Sequence, residues 1–273
     1  MGGSELEKKK NDFAIGVLDS GVGGLSTLAM LKKILPDENF IFYADHKNAP
    51  YGDKPIEDVE GFVYDIVKYF ASKNVKAVVI ACNTAVSATI EKLRTEFCIP
   101  ILGLEPAIKL AYDENNKESD LVKEKNLVIM ATKLTINGEK LKKLLKRLNI
   151  ENKVKKISAS GLVELIETQS LKITEYLDVL LKDINENDYS SIVLGCTHYI
   201  FVKNEIRKVI GNNIKLIDGN LGVSLHLKNI LKENNIENLK NQDVKVRLVT
   251  SGNNNDLKKM DFFYKKAKDL CLI

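Results

Sequence analysis

The chain has 273 residues, of which 44% are hydrophobic and 29% charged, which is ordinary for a globular protein with one large or two small domains. The net charge of +4 arises from lysines scattered among acidic residues, so we expect a solvated surface rather than a nucleic-acid partner. No apolar run reaches the roughly 18 residues of a membrane span, so we expect no membrane partner. Residues 1–12 lack the apolar core of a secretory signal and are predicted to be a disordered tail.

Strand and helix patterns alternate along the chain. Short apolar segments predict strands at 13–18, 40–43, 78–81, 100–104, 127–131, 154–157, 192–195, 214–217 and 244–250. Helices are predicted at 23–35, 59–70, 85–96, 105–115, 134–148, 161–169, 173–185, from the Cys196 turn to 210, and at 221–234 and 256–270, with an exposed charged loop at 113–125. This order predicts parallel sheets with helices on both faces.

The two halves of the chain are weakly similar, because segments 15–20 and 127–132 resemble each other as opening strands. We therefore predict an α/β fold of two similar doubly wound, mainly parallel domains that face each other, with the active site at their interface. The first domain is expected to contain residues 13–104 and 219–273, and the second residues 105–218.

Cys82 ends an apolar segment and is followed by Asn83, Thr84 and a predicted helix. This arrangement predicts a thiol at the carboxyl edge of a parallel sheet, where open α/β folds bind ligands. A helix N-terminus beside the sulfur would also favour the thiolate.

Cys196 repeats the arrangement 196 − 82 = 114 positions later, followed by Thr197 and His198. One such cysteine is more often a buried apolar residue, but two of them favour a pair of reactive thiols. The other cysteines, Cys98 and Cys271, have no such context. Because the four show no CxxC spacing, we expect neither a disulfide framework nor a zinc site, and we expect a reducing, cytoplasmic location.

The segment Asp19-Ser20-Gly21-Val22-Gly23-Gly24 follows the first predicted strand. Its glycines fit neither a dinucleotide fingerprint nor a Walker A loop, so we interpret it as a turn that directs Asp19 and Ser20 into a site and offers backbone N–H groups to a ligand. His198 is a candidate proton carrier and thiolate stabiliser for Cys196. Asp19 is the corresponding neighbour of Cys82.

Two facing cysteines suit two kinds of chemistry. A redox pair would need sulfurs close enough to bond. The alternative is removal of a proton from one face of a carbon and delivery of a proton to the other face, which inverts a stereocentre. One thiolate and one thiol, one from each domain, fit that second requirement.

The sequence resembles the glutamate racemases of the cofactor-independent aspartate/glutamate racemase superfamily. The matching segments, spread over residues 15–252, are GVLDSGVGGL at 16–25, Ala44-Asp45 with Pro50-Tyr51-Gly52, ACNTA at 81–85, GLEP at 103–106, Ala131-Thr132 with Thr135, LGCTHY at 194–199 and Thr250-Ser251-Gly252. Ile200, Gly138 and the segment 159–162 depart from the family pattern, and we expect these departures to affect the rim of the second domain and to leave the two cysteines unchanged.

The resemblance implies reversible interconversion of L- and D-glutamate without pyridoxal phosphate or a metal, as a source of D-glutamate for peptidoglycan synthesis, cell-wall biogenesis and cell shape. It implies that Cys82 acts on the D-isomer and Cys196 on the L-isomer, assisted by Asp19 and His198 respectively. Glu167 is the best match to a further carboxylate of the family. The implied substrate-binding residues are Asp19, Ser20, Pro50, Tyr51, Gly52, Asn83, Thr84, Thr132, Thr135, Thr197 and His198.

Other functions remain open on the sequence alone. An aspartate racemase of the same superfamily would share the motifs, an amino-acid-binding protein would need no reactive cysteines, and a thiol hydrolase would leave the second cysteine unexplained. The expected partner is a small-molecule substrate, and the sequence does not decide between a monomer and a homodimer.

Overall fold

Two parallel β-sheets form the framework of the protein, which the computed structural model describes at residues 13–118, 125–238 and 244–271. The predicted tail at 1–12 lies outside these residues. The first sheet contains, in spatial order, β4 (Ile101–Gly103), β3 (Ala77–Ile80), β1 (Ile15–Asp19), β2 (Phe40–Ala44) and β9 (Val246–Thr250). The second contains β6 (Val154–Ser158), β5 (Asn126–Ala131), β7 (Tyr189–Gly195) and β8 (Lys215–Ile217).

Helices connect these strands. Over the described residues they are α1 (Leu25–Ile34), α2 (Ile56–Ser72), α3 (Asn83–Glu96), α4 (Ile108–Glu118), α5 (Lys133–Asn137), α6 (Glu139–Leu148), α7 (Gly161–Glu167), α8 (Ile173–Leu181), α9 (Lys203–Ile210), α10 (Asn220–Glu233) and α11 (Asn254–Cys271). Short 3₁₀ segments lie at Tyr51–Asp53, Glu151–Lys153 and Thr197–Val202.

The central strands β1 and β3 of the first sheet are buried on both faces. Every residue of β1 and β3 is buried, which explains why their sequences are continuous apolar runs rather than alternating patterns. The adjacent helix α2 buries Val59, Val63, Ile66, Val67 and Phe70 at helical spacing. Burial of these side chains is the main stabilising contribution to the sheet.

The predicted α/β fold of two doubly wound parallel sheets is confirmed. Strand β9 pairs with β2, with Ala44 opposite Thr250, so the end of the chain returns to the first sheet. The boundaries at 104/105 and 218/219 stay a proposal, which the membership of the strands in the two sheets supports.

Three local predictions were wrong. The helix predicted at 134–148 is two helices, because Gly138 adopts an extended backbone (φ −64°, ψ 141°) between α5 and α6. Part of the loop predicted at 113–125 is helical, since α4 continues to Glu118, and residues 119–124 lie outside the described residues. The α-helix predicted after Cys196 starts only at Lys203, because the buried residues Thr197–Val202 form a 3₁₀ segment instead.

Candidate active site

The predicted site residues follow the carboxyl ends of neighbouring parallel strands. In the first sheet Leu18 of β1 pairs with Ile80 of β3, so Asp19 and Cys82 follow at the same edge. In the second sheet Ala131 of β5 pairs with Gly195 of β7, which aligns Thr132 with Cys196. Parallel pairing therefore brings segments that are distant in sequence to one edge of each sheet.

The two edges meet through direct side-chain contacts. The Thr197 hydroxyl, after β7, donates to Asp19 Oδ2 at 3.1 Å. Thr84 Oγ1 and Thr132 Oγ1, one from each half, lie 2.9 Å apart. Because residues from both sheets satisfy one another's polar groups, the site belongs to both halves of the molecule.

The glycine turn after β1 allows this approach. A Cβ atom on Gly23 would lie 2.3 Å from Thr197 Oγ1 and 2.4 Å from His198 Nδ1, so a side chain there would displace both residues. The backbone N–H groups of Gly21 and Val22 donate to Asp19 (2.9 Å) and Glu167 (3.3 Å). In the described arrangement these donors serve carboxylates of the protein rather than a ligand, which the sequence interpretation did not foresee.

Cys82 is buried and lies at the N-cap position of α3. Its sulfur contacts the Ser20 hydroxyl at 3.8 Å. Burial, and then the negative charge of Asp19, raise the pKa of the Cys82 thiol to about 12, although the Ala85 N–H opposes the shift. The helix N-terminus favours the thiolate as expected, through the Ala85 N–H, but burial and the neighbouring carboxylate outweigh this contribution.

Asp19 is fully buried behind this thiol. Burial raises the pKa of its carboxyl group, while the positive charge of His198 and the donors on Gly21 and Thr197 oppose that rise. Its influence on Cys82 is electrostatic. The hydrogen-bond partner of the Cys82 sulfur is Ser20.

Cys196 has a different neighbour. Its sulfur lies 3.8 Å from His198 Nδ1, and His198 Nε2 lies 2.8 Å from Glu167 Oε1. Burial alone would lower the pKa of His198, but its contacts with Cys196 and Glu167 raise that pKa well above the usual value of 6.5.

Glu167 completes this chain of contacts. Burial would raise the pKa of its carboxyl group, but His198 and Lys259 hold that pKa well below its usual value. The residue is the last of helix α7, where its carboxylate can face the Cys196 turn. The structure thus places Glu167 on the imidazole of His198, a contact that no sequence spacing indicates.

The threonines predicted to bind substrate form one hydrogen-bonded group. Thr132 Oγ1 contacts Thr84 and donates to Thr135 Oγ1 at 3.1 Å, while capping α5. Next to Thr84, the buried Asn83 Oδ1 has no hydrogen-bond partner among the described residues. An unpaired buried amide oxygen is costly, so it is a candidate contact for a ligand's donor.

In the Pro50–Gly52 segment, which was predicted to bind substrate, the Tyr51 hydroxyl is bonded to another residue of the protein. The buried Tyr51 side chain donates its hydroxyl to Asp45 Oδ2 at 2.6 Å, and Ser251 donates to Asp45 Oδ1 at 2.6 Å. Burial, and then the charge of Asp45, raise the pKa of the Tyr51 phenol above its usual value. The Tyr51 hydroxyl is therefore already used within the protein, whereas Gly52 lies against Thr132.

A cavity of about 280 Å³ opens on the His198 side of the site. Its lining residues are Ser20, His46, Ala49, Pro50, Val163, Glu164, Glu167, Thr168, His198, Asp256 and Lys259. Neither cysteine is among them, and both are less than 8% exposed, so the site is largely closed to solvent.

Sequence reasoning did not assign functional roles to His46 and Lys259, which line this cavity, or to Asp45, which accepts hydrogen bonds from Tyr51 and Ser251. Asp45 stands within a matching motif, which could have drawn attention to it. Lys259 has no sequence signal, because it lies on the C-terminal helix and reaches Glu167 only through the fold. Among the described residues, no group of His, Cys, Asp or Glu side chains is arranged to hold a metal ion, and no helix is long and apolar enough to cross a membrane.

Comparison with known proteins agrees with this arrangement. Residues 15–222 match the family model described as Asp/Glu/Hydantoin racemase. The chain belongs to this family. It is 42% identical to the glutamate racemase of Clostridium novyi (strain NT), over 89% of this chain and 92% of that protein.

Solved structures of family members share the fold. A glutamate racemase isoform from Bacillus anthracis aligns with a TM-score of 0.78 at 28% identity, covering 93% of each chain. The glutamate racemase of Francisella tularensis in complex with D-glutamate aligns with a TM-score of 0.80 at 25% identity, covering 93% of this chain and 94% of that one. The similarity extends over both sheets rather than over a single domain.

Proposed function

We propose that this racemase interconverts L- and D-glutamate by moving protons between the substrate Cα and two cysteines. The observation that carries the proposal is the pair of buried thiols, Cys82 and Cys196, at the carboxyl ends of strands in two different sheets whose edges meet. The curated glutamate racemase at 42% identity supports glutamate as the substrate.

For the L-isomer, the Cys196 thiolate removes the Cα proton and Cys82 delivers its thiol proton to the opposite face. The Cα–H bond breaks, a new Cα–H bond forms, and the enzyme is left with a Cys196 thiol and a Cys82 thiolate. The D-isomer reacts with the same two residues in the reverse sense. Exclusion of water from the buried site strengthens each electrostatic contact during these steps.

The neighbours of the two sulfurs have distinct roles in this proposal. Asp19 favours the protonated form of Cys82, which makes that thiol a ready proton donor. The imidazolium of His198 stabilises negative charge on Cys196 and is held in place by Glu167. These charges favour the thiol at Cys82 and negative charge at Cys196 before the L-isomer reacts.

Substrate groups are assigned to the polar side chains around the sulfurs. We assign the substrate ammonium group to Asp19, Ser20 and Thr197. We assign the substrate carboxylates to the three hydroxyl groups of Thr84, Thr132 and Thr135 and to the side-chain amide of Asn83. The Pro50–Gly52 segment, backed by the buried Tyr51, forms the adjacent wall. Its contribution is shape and backbone contact, because the Tyr51 hydroxyl is bonded to Asp45.

The product, D-glutamate, would supply peptidoglycan synthesis. In this proposal, catalysis needs neither pyridoxal phosphate nor a metal. The choice between a monomer and a homodimer stays open and would be decided by light scattering after gel filtration, and a cytoplasmic location stays a prediction.

The function is tested by following optical activity with purified protein after dialysis against EDTA and without added cofactor. L-glutamate and D-glutamate should each decay to the racemic mixture, and aspartate should react at least tenfold more slowly in kcat/KM. Decay of aspartate alone would make the protein an aspartate racemase. Saturable binding of glutamate without decay would make it a binding protein, and either result would overturn the proposal.

A further inference from the structure

Lys259 connects the C-terminal helix to the chain of groups behind Cys196. Its ammonium group forms a close ion pair with Glu167 Oε2, while Glu167 Oε1 lies 2.8 Å from His198 Nε2. Each oxygen of the Glu167 carboxylate thus has its own basic partner. Lys259 lies on α11, outside the matched residues 15–222.

Helix α11, which carries Lys259, is anchored by buried side chains. Met260 and Phe263 on the same helix are buried, and the Phe263 ring packs edge-on against Phe201 with centroids 5.0 Å apart. Phe201 belongs to the 3₁₀ segment Thr197–Val202 that also carries His198. Helix α11 therefore packs against the segment that carries His198, and its Lys259 also contacts Glu167, the carboxylate bonded to that imidazole.

The position of Glu167 explains why a second partner matters. It is the last residue of the short helix α7, and its side chain contacts His198 of the 3₁₀ segment through one oxygen. A carboxylate held through one oxygen can rotate away, whereas one held through both oxygens has a fixed orientation. A fixed carboxylate in turn fixes the imidazole ring against the sulfur.

Lys259 is also distinct among the groups around the cavity. The other titratable side chains that line it are His46, Glu164, Glu167, His198 and Asp256, so Lys259 is the one Lys or Arg in that lining. Its side chain is 26% exposed, with the remainder packed at the wall. No other lining residue among those described could supply a permanent positive charge to Glu167.

We propose that Lys259 is a positioning residue of the racemase: it fixes Glu167 against His198 and so orients the imidazolium toward Cys196. The proposal rests on the proposed function. Lys259 contacts neither sulfur and reaches Cys196 only through Glu167 and His198, so its main effect is on the proton transfer at Cys196. Proton transfer at Cys82 depends mainly on Asp19 and Ser20.

Three variants test this role. Lys259→Met removes the charge and keeps much of the apolar stem, Lys259→Arg keeps the charge, and Lys258→Met is the matched control, because Lys258 is an exposed neighbour on the same helix. We expect Lys259→Met to lose about tenfold in kcat/KM. Lys259→Arg should stay within about threefold of wild type, and Lys258→Met should be unchanged.

Directional isotope effects separate positioning from a merely structural ion pair. Because enantiomers are equal in energy, kcat/KM is the same in both directions for any variant and carries no directional information. With Cα-deuterated substrates, Lys259→Met should show a larger primary isotope effect than wild type on L-glutamate and a smaller one on D-glutamate. Equal isotope effects in wild type and Lys259→Met would overturn the proposal, even if the melting temperature fell.

A second readout does not depend on turnover. The chain has 3 histidines, so ¹⁵N-histidine labelling gives a spectrum in which the hydrogen-bonded Nε2 proton of His198 can be assigned. This proton signal should be present in wild type, Lys259→Arg and Lys258→Met, and broadened by solvent exchange in Lys259→Met. Its persistence in Lys259→Met would contradict the positioning role. If wild type failed to racemise glutamate, the proposed function would fail while this signal still tested the Lys259 contact.

Discussion

Cys82 and Cys196 follow strands that pair with the first strand of their own sheet, yet the groups beside the two sulfurs differ in charge. Cys82 lies beside the hydroxyl of Ser20 and the carboxylate of Asp19, and the pKa of its thiol is raised to about 12. Cys196 lies 3.8 Å from an imidazole that is itself held by a carboxylate. Similar backbones thus present one thiol in negative surroundings and one beside a positive charge.

This difference gives the two thiols separate tasks. A thiol kept protonated by burial and a neighbouring anion is suited to donate a proton. A sulfur beside an imidazolium is suited to carry negative charge and accept one. A substrate bound between them would meet a donor on one face and an acceptor on the other without rearrangement of the protein.

The largest effect should come from removing either sulfur. Cys82→Ser and Cys196→Ser should each lower racemase kcat/KM by about 10³-fold or more, because a hydroxyl is a far weaker base than a thiolate. Cys98→Ser is the matched control and should keep full activity, since Cys98 is exposed and has no part in the proposed site. Near wild-type racemisation by either active-site variant would rule out the two-thiol assignment.

Removing the neighbour of each sulfur should expose the asymmetry between them. His198→Gln should lose about 10²-fold in kcat/KM, because it removes a charged proton carrier. Ser20→Ala should lose less than about tenfold, because a hydroxyl 3.8 Å from the sulfur is a weak neutral partner. Steady-state kinetics decide the order, and a larger loss in Ser20→Ala would reverse the proposed difference between the two sides.

Much of this arrangement could be predicted from the sequence, because it depends on local patterns. The buried strand before Cys82 and the threonine cap at Thr132 are set by residues within a few positions of one another. Two strand ends with similar sequences also indicated a paired site. These features needed no knowledge of how the two halves meet.

The remaining features depend on contacts between distant segments. Gly23 is required because Thr197 and His198 press against it from the other half, and the Glu167–Lys259 pair joins residues 259 − 167 = 92 positions apart. The 3₁₀ segment after Cys196 likewise follows from burial of every residue in it, including Tyr199, whose hydroxyl donates to Ala159 O at 2.7 Å. Tertiary packing overrides helix propensity at this point, which sequence periodicity does not reveal.

The high pKa of Cys82 should be visible in its reactivity. At pH 8 iodoacetamide should modify the exposed Cys98 at least tenfold faster than Cys82, because alkylation requires the thiolate. Labelling of Cys82 should increase between pH 7 and pH 9, since the thiolate fraction of a thiol with a pKa of about 12 increases over that range. Peptide mass spectrometry measures both rates, and equal labelling at pH 8 would contradict the proton-donor state of Cys82.

A smaller effect should appear in stability. Glu167→Gln should destabilise the protein by about 2 kcal/mol at pH 7, because it weakens a buried charge-assisted contact. The Glu167 pKa is lowered by folding, so this contribution is present above its usual pKa of 4.5 and is lost as pH falls below that value. The His198 pKa is raised by folding, so its contribution is lost at alkaline pH.

Thermal unfolding of wild type and Glu167→Gln between pH 3 and pH 9 checks how the stabilising contribution of Glu167 depends on pH. The difference in melting temperature should be largest near neutral pH and should shrink on acidification. A difference that grew below pH 4.5 would mean that the ionised carboxylate is not the stabilising form.

Solvent deuterium tests most directly whether two thiols act on opposite faces of one carbon. With L-glutamate in D₂O, the first D-glutamate formed should carry deuterium at Cα, supplied by the exchanged Cys82 thiol, while the unreacted L-glutamate keeps its protium. Proton NMR of the two enantiomers after separation at early times measures both. If the product retained the original protium, or if L-glutamate gained deuterium as fast as D-glutamate formed, a single base would serve both faces and the two-thiol site would be wrong.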